Sequence, residues 1–171
     1  MQIEDIFDVV NEQDEVIGQE RRSIVHAKHL LHRASYVMIF NQKGEVLIQK
    51  RSATKDTFPN CWTSSVSGHV DAGETYLEAA HRELGEEVGI WTKPPLREVA
   101  YEKAAPVTDY EFLRLYRVDL EGPFKILEDE VSEVRWLDPR ELTSQMNETP
   151  DLFTISFRFL WLKYADKLIE A

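Results

Sequence analysis

Only one cysteine, Cys61, occurs in the 171 residues. A lone thiol rules out an internal disulfide and fits a reducing compartment. Long apolar runs are missing too: the longest strongly apolar stretch is Tyr36-Val37-Met38-Ile39-Phe40, far below the ~20 residues a membrane-spanning helix needs. The opening MQIEDIFDVV is acidic, with no basic region ahead of an apolar stretch, so a signal peptide is not expected. Positive charge is scarce. Lys and Arg number 20 against 31 Asp and Glu, a net charge of −11. So acidic a surface repels a phosphate backbone and argues against nucleic-acid binding. It would also repel small phosphorylated substrates unless divalent cations intervene. No repeat, low-complexity tract or Gly/Ser/Pro linker divides the chain. What these absences leave is a cytoplasmic protein with a single domain over residues 1–171, large enough for a real core.

What is present reads as an α+β domain. Extended runs at 7–10 and 15–19 flank the polar Asn11-Glu12-Gln13-Asp14, a hairpin within residues 5–20. Residues 21–31 are basic and hold His26 and His29, with His32 just after. A second hairpin, 35–40 with 45–49, turns at Asn41-Gln42-Lys43-Gly44. A loop over 52–60 precedes an extended segment, 62–70. A helix follows over 75–88, stopped by Gly89. Strands are expected at 96–103, 111–120 and 131–137, and Asp138-Pro139 opens a short helix. The last segment, 151–169, places Phe153, Phe157, Leu160, Trp161, Tyr164 and Leu168 at helical spacing. Helices packed on a mixed sheet are the expected architecture. Phe153, Phe157, Phe159 and Trp161 leave apolar surface for a homodimer contact.

The central helix carries an electrostatic problem. At about 100° per residue, Leu77, Ala80, Leu84 and Val88 form its expected core face. Glu83, Glu86 and Glu87 fall on a neighbouring stripe, with Ala79 leaving room between them. Each like-charge pair at this spacing costs about 0.2–0.5 kcal/mol. The acids also sit in the last turns, where the helix dipole disfavours negative charge. A solvated acidic face is the bland account of such a run. A divalent cation would remove both penalties, and Mg²⁺ is typically held by a few carboxylates together with substrate phosphates.

Residues 68–90 read GHVDAGETYLEAAHRELGEEVGI. Gly68, five residues, Glu74, seven residues, Arg82-Glu83-Leu84, one residue, Glu86-Glu87, one residue and Gly89-Ile90 resemble the Nudix signature position for position. The resemblance implies an α/β/α Nudix sandwich whose loop–helix–loop binds Mg²⁺ or Mn²⁺ against a diphosphate. It implies Glu86 and Glu87 as principal metal ligands, and Glu83 as a ligand or as the base that deprotonates water. The backbone carbonyl of Ser67, just before Gly68, would complete the shell. Arg82 and Glu74 would hold the loop and aim the carboxylates. The activity implied is metal-assisted hydrolysis of a diphosphate bond, in a nucleotide or in a nucleoside diphosphate linked to another moiety.

The flanks resemble a particular Nudix branch. FNQKGEVLIQKRSATKDTFPNCWTSSVSGHV, residues 40–70, is similar to the corresponding segment of isopentenyl-diphosphate isomerase. That resemblance implies Arg51 and Lys55 as contacts of the substrate diphosphate. It matches His32 and His69 to the isomerase's metal site, with His26 a third match if the spacing shifts by one. Asp109 and Glu111 resemble the acids that complete that site. The isomerase also needs a cysteine directly before the Gly-His pair, where this chain has Ser67, and Cys61 stands in the wrong place. A hydroxyl is a far weaker acid than a thiol. The intact Nudix signature therefore favours hydrolysis, with isomerisation of a prenyl diphosphate as the alternative.

Several residues keep two readings at this point. His26, His29, His32, His69 and Glu111 form part of a second metal site or are ordinary polar residues. Glu111 and Glu130 are candidates for a base outside the signature, or exposed acids. Trp62, Tyr101, Phe112 and Trp136 could stack a nucleobase, although core packing suits most of them. Pro106, sixteen residues beyond Ile90, resembles the spacing of the ADP-ribose pyrophosphatase subgroup.

Overall fold

The computed structural model describes residues 3–170. Alternation in one strand organises the molecule. Strand β3 (His32–Phe40) is buried on both faces. Its Ala34, Tyr36, Met38 and Phe40 enter one apolar cluster, while Val37 and Ile39 enter a second. Such two-faced burial demands a layer on each side. Strand β8 (Glu111–Asp119) runs parallel to β3, from His32↔Glu111 to Phe40↔Asp119. The remaining pairings in the sheet are antiparallel, involving β4 (Val46–Arg51), β5 (Trp62–Thr63), β6 (Val66–His69), β7 (Arg97–Glu102) and β9 (Val131–Leu137). The sheet is thus mixed, as expected.

One face is covered by helix α2 (Tyr76–Val88), the other by α3 (Pro139–Glu148) and α4 (Ile155–Ile169). Before the sheet lie a hairpin, β1 (Ile6–Val10) with β2 (Val16–Arg21), and the short helix α1 (Arg22–Ala27). Asp14, in the hairpin turn, ties it down. It accepts hydrogen bonds from Arg33 Nε (2.6 Å), Tyr76 Oη (2.8 Å) and Tyr101 Oη (3.2 Å). No helix of the described residues is long and apolar enough to cross a membrane.

Four expectations need correction. Leu77 is 44% exposed, and Tyr76 and Ala79 are buried with Ala80, Leu84 and Val88. The buried stripe is therefore rotated by about one residue, and Ala79 packs against the sheet instead of spacing the carboxylates. The extended run 62–70 breaks into β5 and β6 because Ser64 and Ser65 turn inward; Ser65 Oγ accepts the Ile39 amide at 2.7 Å. The last helix starts at Ile155, not 151. Pro150–Leu152 makes a tight turn, and the Thr154 amide is held by the Trp62 carbonyl at 3.0 Å. Finally, Phe153, Phe157 and Trp161 are 1–3% exposed inside the chain's own core. They are not available to a second copy, because α4 uses them to close the sheet.

Candidate active site

Helix α2 is delimited by its ends. Thr75 and Glu78 form a reciprocal capping box: the Glu78 amide donates to Thr75 Oγ1 at 3.2 Å and the Thr75 amide to Glu78 Oε2 at 2.8 Å. Gly89 ends the helix at φ 76°, a left-handed position suited to glycine. Between these ends, Ala80, Leu84 and Val88 anchor one face in the core. That anchoring turns Glu83, Glu86 and Glu87 toward a cavity of about 960 Å³ bounded also by Ser67, Gly68 and His69. Gly68 is required by proximity: a β-carbon there would stand 2.1 Å from Glu83 Oε1.

Arg82 organises the carboxylates. Its Nε and Nη2 donate to the two oxygens of Glu74 (2.8 and 3.0 Å), and Nη2 also donates to the His69 carbonyl (2.9 Å). Nη1 donates to Glu83 Oε1 (2.7 Å) and Glu86 Oε2 (3.2 Å). Glu74 Oε2 in turn accepts the Asp71 amide at 2.9 Å, closing the loop onto the helix. Glu87 is held separately. Its Oε2 accepts from Gln49 Nε2 at 2.6 Å and from the Ser67 amide at 3.2 Å. The sequence reading missed Gln49, although a polar residue closing the apolar run Val46-Leu47-Ile48 was a visible signal.

Burial makes these acids uncomfortable as anions. It raises Glu83 well above the ordinary carboxylate range, Glu87 adds to the shift, and Arg82 partly offsets it. Burial likewise pushes Glu87 up to about 7, against the pull of Gln49 and Ser67. Two desolvated carboxylates beside a third, with one arginine among them, are short of positive charge. Oxygen donors arranged this way suit a hard divalent cation.

A second cluster adjoins the first. The ligand atoms of His26, His32 and His69 all lie within 4.8 Å of one another. Glu111 Oε1 stands 2.9 Å from His69 Nε2 and 3.4 Å from His32 Nε2. Nε2 of all three histidines is buried without a well-directed hydrogen bond. His32 Nδ1 lies 2.8 Å from the Leu30 carbonyl, which only accepts, so Nδ1 carries the proton. A neutral His32 would face Glu111 with a lone pair; against the opposing effect of burial, Glu111 and the Leu30 carbonyl raise His32, which favours the protonated ring. Burial, aided by His69 and His32, lowers His26 to about 4. Glu111 goes the other way: its burial is overridden by His32 and His69, which hold it at about 2. Phe7 walls the cluster, stacked on His69 (4.6 Å between centroids) and on His32 (5.9 Å). Its involvement links the N-terminal hairpin to the site, a long-range contact with no local sequence signal. His29 is not part of the cluster; its ring lies against Tyr110. Asp109 lies at the edge, 3.7 Å from His26 Nδ1.

The remaining site residues scatter around the rim. Lys55 is ion-paired with Glu130, and Arg51 holds its own loop through the Thr57 carbonyl at 3.0 Å. Arg22 grips Asp56 from α1 at 2.6 and 3.1 Å. Trp62, Tyr101, Phe112 and Trp136 do not line this cavity; its aromatic groups are Phe7, Tyr36 and Phe58. Tyr101 stacks on Phe112, and Trp136 packs near Phe124. Pro106 opens a short turn (Pro106–Thr108). Cys61 is half-buried, its thiol 3.8 Å from the Asp151 carbonyl and raised by burial.

A mixed sheet between helical layers, with a carboxylate-bearing loop–helix–loop on one face, defines the class, and the family comparison agrees. Residues 30–158 match the NUDIX domain model, and the chain belongs to that family. It is a hydrolase acting on acid anhydrides in phosphorus-containing substrates. Among relatives, it is 39% identical over 157 residues to "Uncharacterized Nudix hydrolase YfcD" of Escherichia coli (strain K12), covering 91% of this chain and 86% of that one. It is 36% identical over 163 residues to "Isopentenyl-diphosphate Delta-isomerase 2" of Photorhabdus laumondii, covering 91% and 90%. Among solved structures, DR0079 from Deinococcus radiodurans superposes with a TM-score of 0.82 at 28% identity, covering 93% of this chain and 98% of that one.

Proposed function

We propose that this protein is a Mg²⁺- or Mn²⁺-dependent pyrophosphohydrolase that cleaves the diphosphate bond of a nucleotide, or of a nucleoside diphosphate linked to a second moiety. The observation that carries this reading is the trio Glu83, Glu86 and Glu87 facing one cavity, two of them desolvated and poorly neutralised. Glu86 and Glu87, with Glu83 and the Ser67 carbonyl, would hold the cation. When bound, it neutralises the diphosphate, polarises the scissile P–O bond and lowers the pKa of a bound water.

The chain supplies the rest. Arg82 and Glu74 aim the carboxylates, and Gln49 orients Glu87. Lys55 and Arg51 meet the diphosphate from the rim, Lys55 by exchanging Glu130 for a phosphate oxygen. Water attacks phosphorus, its oxygen forming the new bond as the bridging P–O bond breaks and the leaving phosphate takes the electron pair. A carboxylate takes the water's proton, and the rates of Glu83→Gln and Glu130→Gln decide which one does so. Glu111, buried between His32 and His69, serves the histidine cluster rather than the diphosphate. His26, His32, His69 and Glu111 would form a second metal site, supported by the convergence of the three histidines, whose Nε2 atoms are buried without a well-directed hydrogen bond.

Phosphate release from diphosphate substrates in Mg²⁺ tests the reading. Glu86→Gln and Glu87→Gln should remove most turnover while the fold remains; wild-type rates in both would defeat it. A second reading, isomerisation of a prenyl diphosphate, draws on the histidine cluster and on the isomerase-named relative. Against it stands Ser67. Isopentenyl diphosphate should not be isomerised by the wild type, and activity gained in Ser67→Cys would mean that the other isomerase-like residues are correctly placed.

A further inference from the structure

His29 stands outside the histidine cluster, yet its backbone is unusual for its residue type. Helix α1 ends in a Schellman motif: the His29 amide donates to the His26 carbonyl at 3.3 Å and the Leu30 amide to the Val25 carbonyl at 2.9 Å. In that motif the residue after the C-cap is left-handed and is usually glycine. Here it is His29, at φ 50°. The turn delivers the Leu30 carbonyl to 2.8 Å from His32 Nδ1, which fixes how the His32 ring is aimed. A second left-handed turn precedes β8. Asp109 and Tyr110, at φ 54° and 61°, are consecutive and neither is glycine, and Glu111 follows at once. The two turns touch, with 4.6 Å between the centroids of the His29 and Tyr110 rings. The His32 amide joins them a second time by donating to the Tyr110 carbonyl at 3.3 Å. Thr108, 1% exposed, secures the second turn. Its Oγ1 accepts the Ala105 amide at 2.9 Å, and its single proton has the carbonyls of Ala105 (3.0 Å) and Glu111 (2.9 Å) within reach.

We infer that His29, Tyr110 and Thr108 are positioning residues: through the two joined turns they hold His32 and Glu111 in the geometry that suits a metal ion, and His29 itself binds none. The inference rests on the reading of His26, His32, His69 and Glu111 as a second metal site. Left-handed backbone at non-glycine residues is uncommon and persists where the surrounding structure over-determines it. Glycine at position 29 would satisfy the helix end with less strain, but it would remove the ring that meets Tyr110. Histidine keeps the strain and gains a contact that reaches from the entry of β3 to the entry of β8. Groups that orient metal ligands without touching the metal typically change its affinity about 10- to 100-fold when they are removed.

Co²⁺ titration of the full chain in excess Mg²⁺ tests this. Mg²⁺ occupies the oxygen donors, and imidazole-bound Co²⁺ is read by its visible absorption. Thermal unfolding of the metal-free protein is measured alongside. His29→Gly should weaken Co²⁺ binding on the order of tenfold, while melting within about 2 °C of wild type or above it, because it relaxes the helix end. His29→Phe keeps the ring without a nitrogen and should bind Co²⁺ within about threefold of wild type. Thr108→Val should lose on the order of tenfold, and Thr108→Ser, which restores the hydroxyl, should recover it. Wild-type affinity in His29→Gly or in Thr108→Val overturns the inference. So does a loss in His29→Phe equal to that in His29→Gly, which would make His29 a ligand. A melting temperature in His29→Gly that falls together with the affinity would leave the ring a purely structural role and likewise overturn it. Should Thr108→Val fail to fold, the two His29 variants still decide. A wild-type protein that takes up no imidazole-bound Co²⁺ defeats the second metal site, and the inference with it, whereas failure confined to the variants leaves that site standing.

Discussion

Gly68→Ala isolates the link between backbone and carboxylates. The added β-carbon would meet Glu83 Oε1 at 2.1 Å, Cδ at 2.2 Å and Cγ at 2.6 Å. Three atoms are involved, so the whole carboxylate arm must retreat by about 1 Å, breaking its 2.7 Å bond from Arg82 Nη1. A misplacement of about 1 Å in a catalytic group can cost about 10²-fold in rate. The stability cost is smaller, because Glu83 borders a cavity and can swing into it. Overpacking at the low end of its range is about 1 kcal/mol, or ~2–4 °C in Tm for a chain of this size. Expected together are a kcat near one hundredth of wild type, weaker Mn²⁺ binding and a nearly native melting curve. Phosphate release, metal titration and thermal unfolding on one preparation check all three. Wild-type turnover with unchanged metal affinity would refute the claim that Gly68 is present to admit Glu83.

The remaining predictions address separate parts of the molecule. Gln49→Met removes the 2.6 Å bond to Glu87 while keeping the volume; losing a hydrogen bond to a charged group costs about 1.5–3 kcal/mol, so Mg²⁺ affinity should fall on the order of tenfold or more, as metal titration would show. Leu84→Ala should destabilise by about 2–5 kcal/mol in denaturant unfolding, since Leu84 is fully buried; Leu77→Ala, at 44% exposure, should stay within about 0.5 kcal/mol. Asp56 is held down to about 2 by its hydrogen bond to Arg22, below its ordinary 3.8. Its pairing therefore contributes stability above pH 3.8 that is lost as pH falls toward 2. The Tm difference between wild type and Asp56→Asn should be largest near neutrality and shrink over that acid range; a difference that grew on acidification would contradict the pairing.

Much of the fold was legible locally. Strands 111–120 and 131–137, both hairpins and the stop at Gly89 come from alternation and turn chemistry that neighbouring residues impose on each other. The errors have one kind of cause. Whether Tyr76 or Leu77 faces inward depends on how α2 is seated on the sheet, and a helical wheel alone does not carry that orientation. Whether Phe157 and Trp161 face a second copy or the same chain depends on where α4 docks. The site divides in the same way. Glu83, Glu86 and Glu87 share one helix, so spacing placed them on one stripe, and the resemblance of residues 68–90 to the Nudix signature added Glu74 and Arg82. Gln49, Phe7, Tyr36 and Ser156 are distant along the chain from that helix and meet it only in space.

The sequence by itself therefore determined the carboxylate helix, its ends, the excess of negative charge it must live with, and the family to which it belongs. The helix, its ends and the charge excess follow from covalent spacing at 3.6 residues per turn and from composition; the family is carried by the resemblance of residues 68–90 to the Nudix signature. Tertiary structure alone decided which histidines meet: His26, His32 and His69 gather around Glu111, and His29 is left out. It also decided what surrounds them. Parallel pairing sets His32 opposite Glu111, antiparallel pairing sets Ser67 opposite Tyr36, and α4 brings Ser156 to the cavity that Ser67 and Tyr36 line. Registers and docking angles are set by the burial of many side chains at once, so no short stretch of the chain contains them.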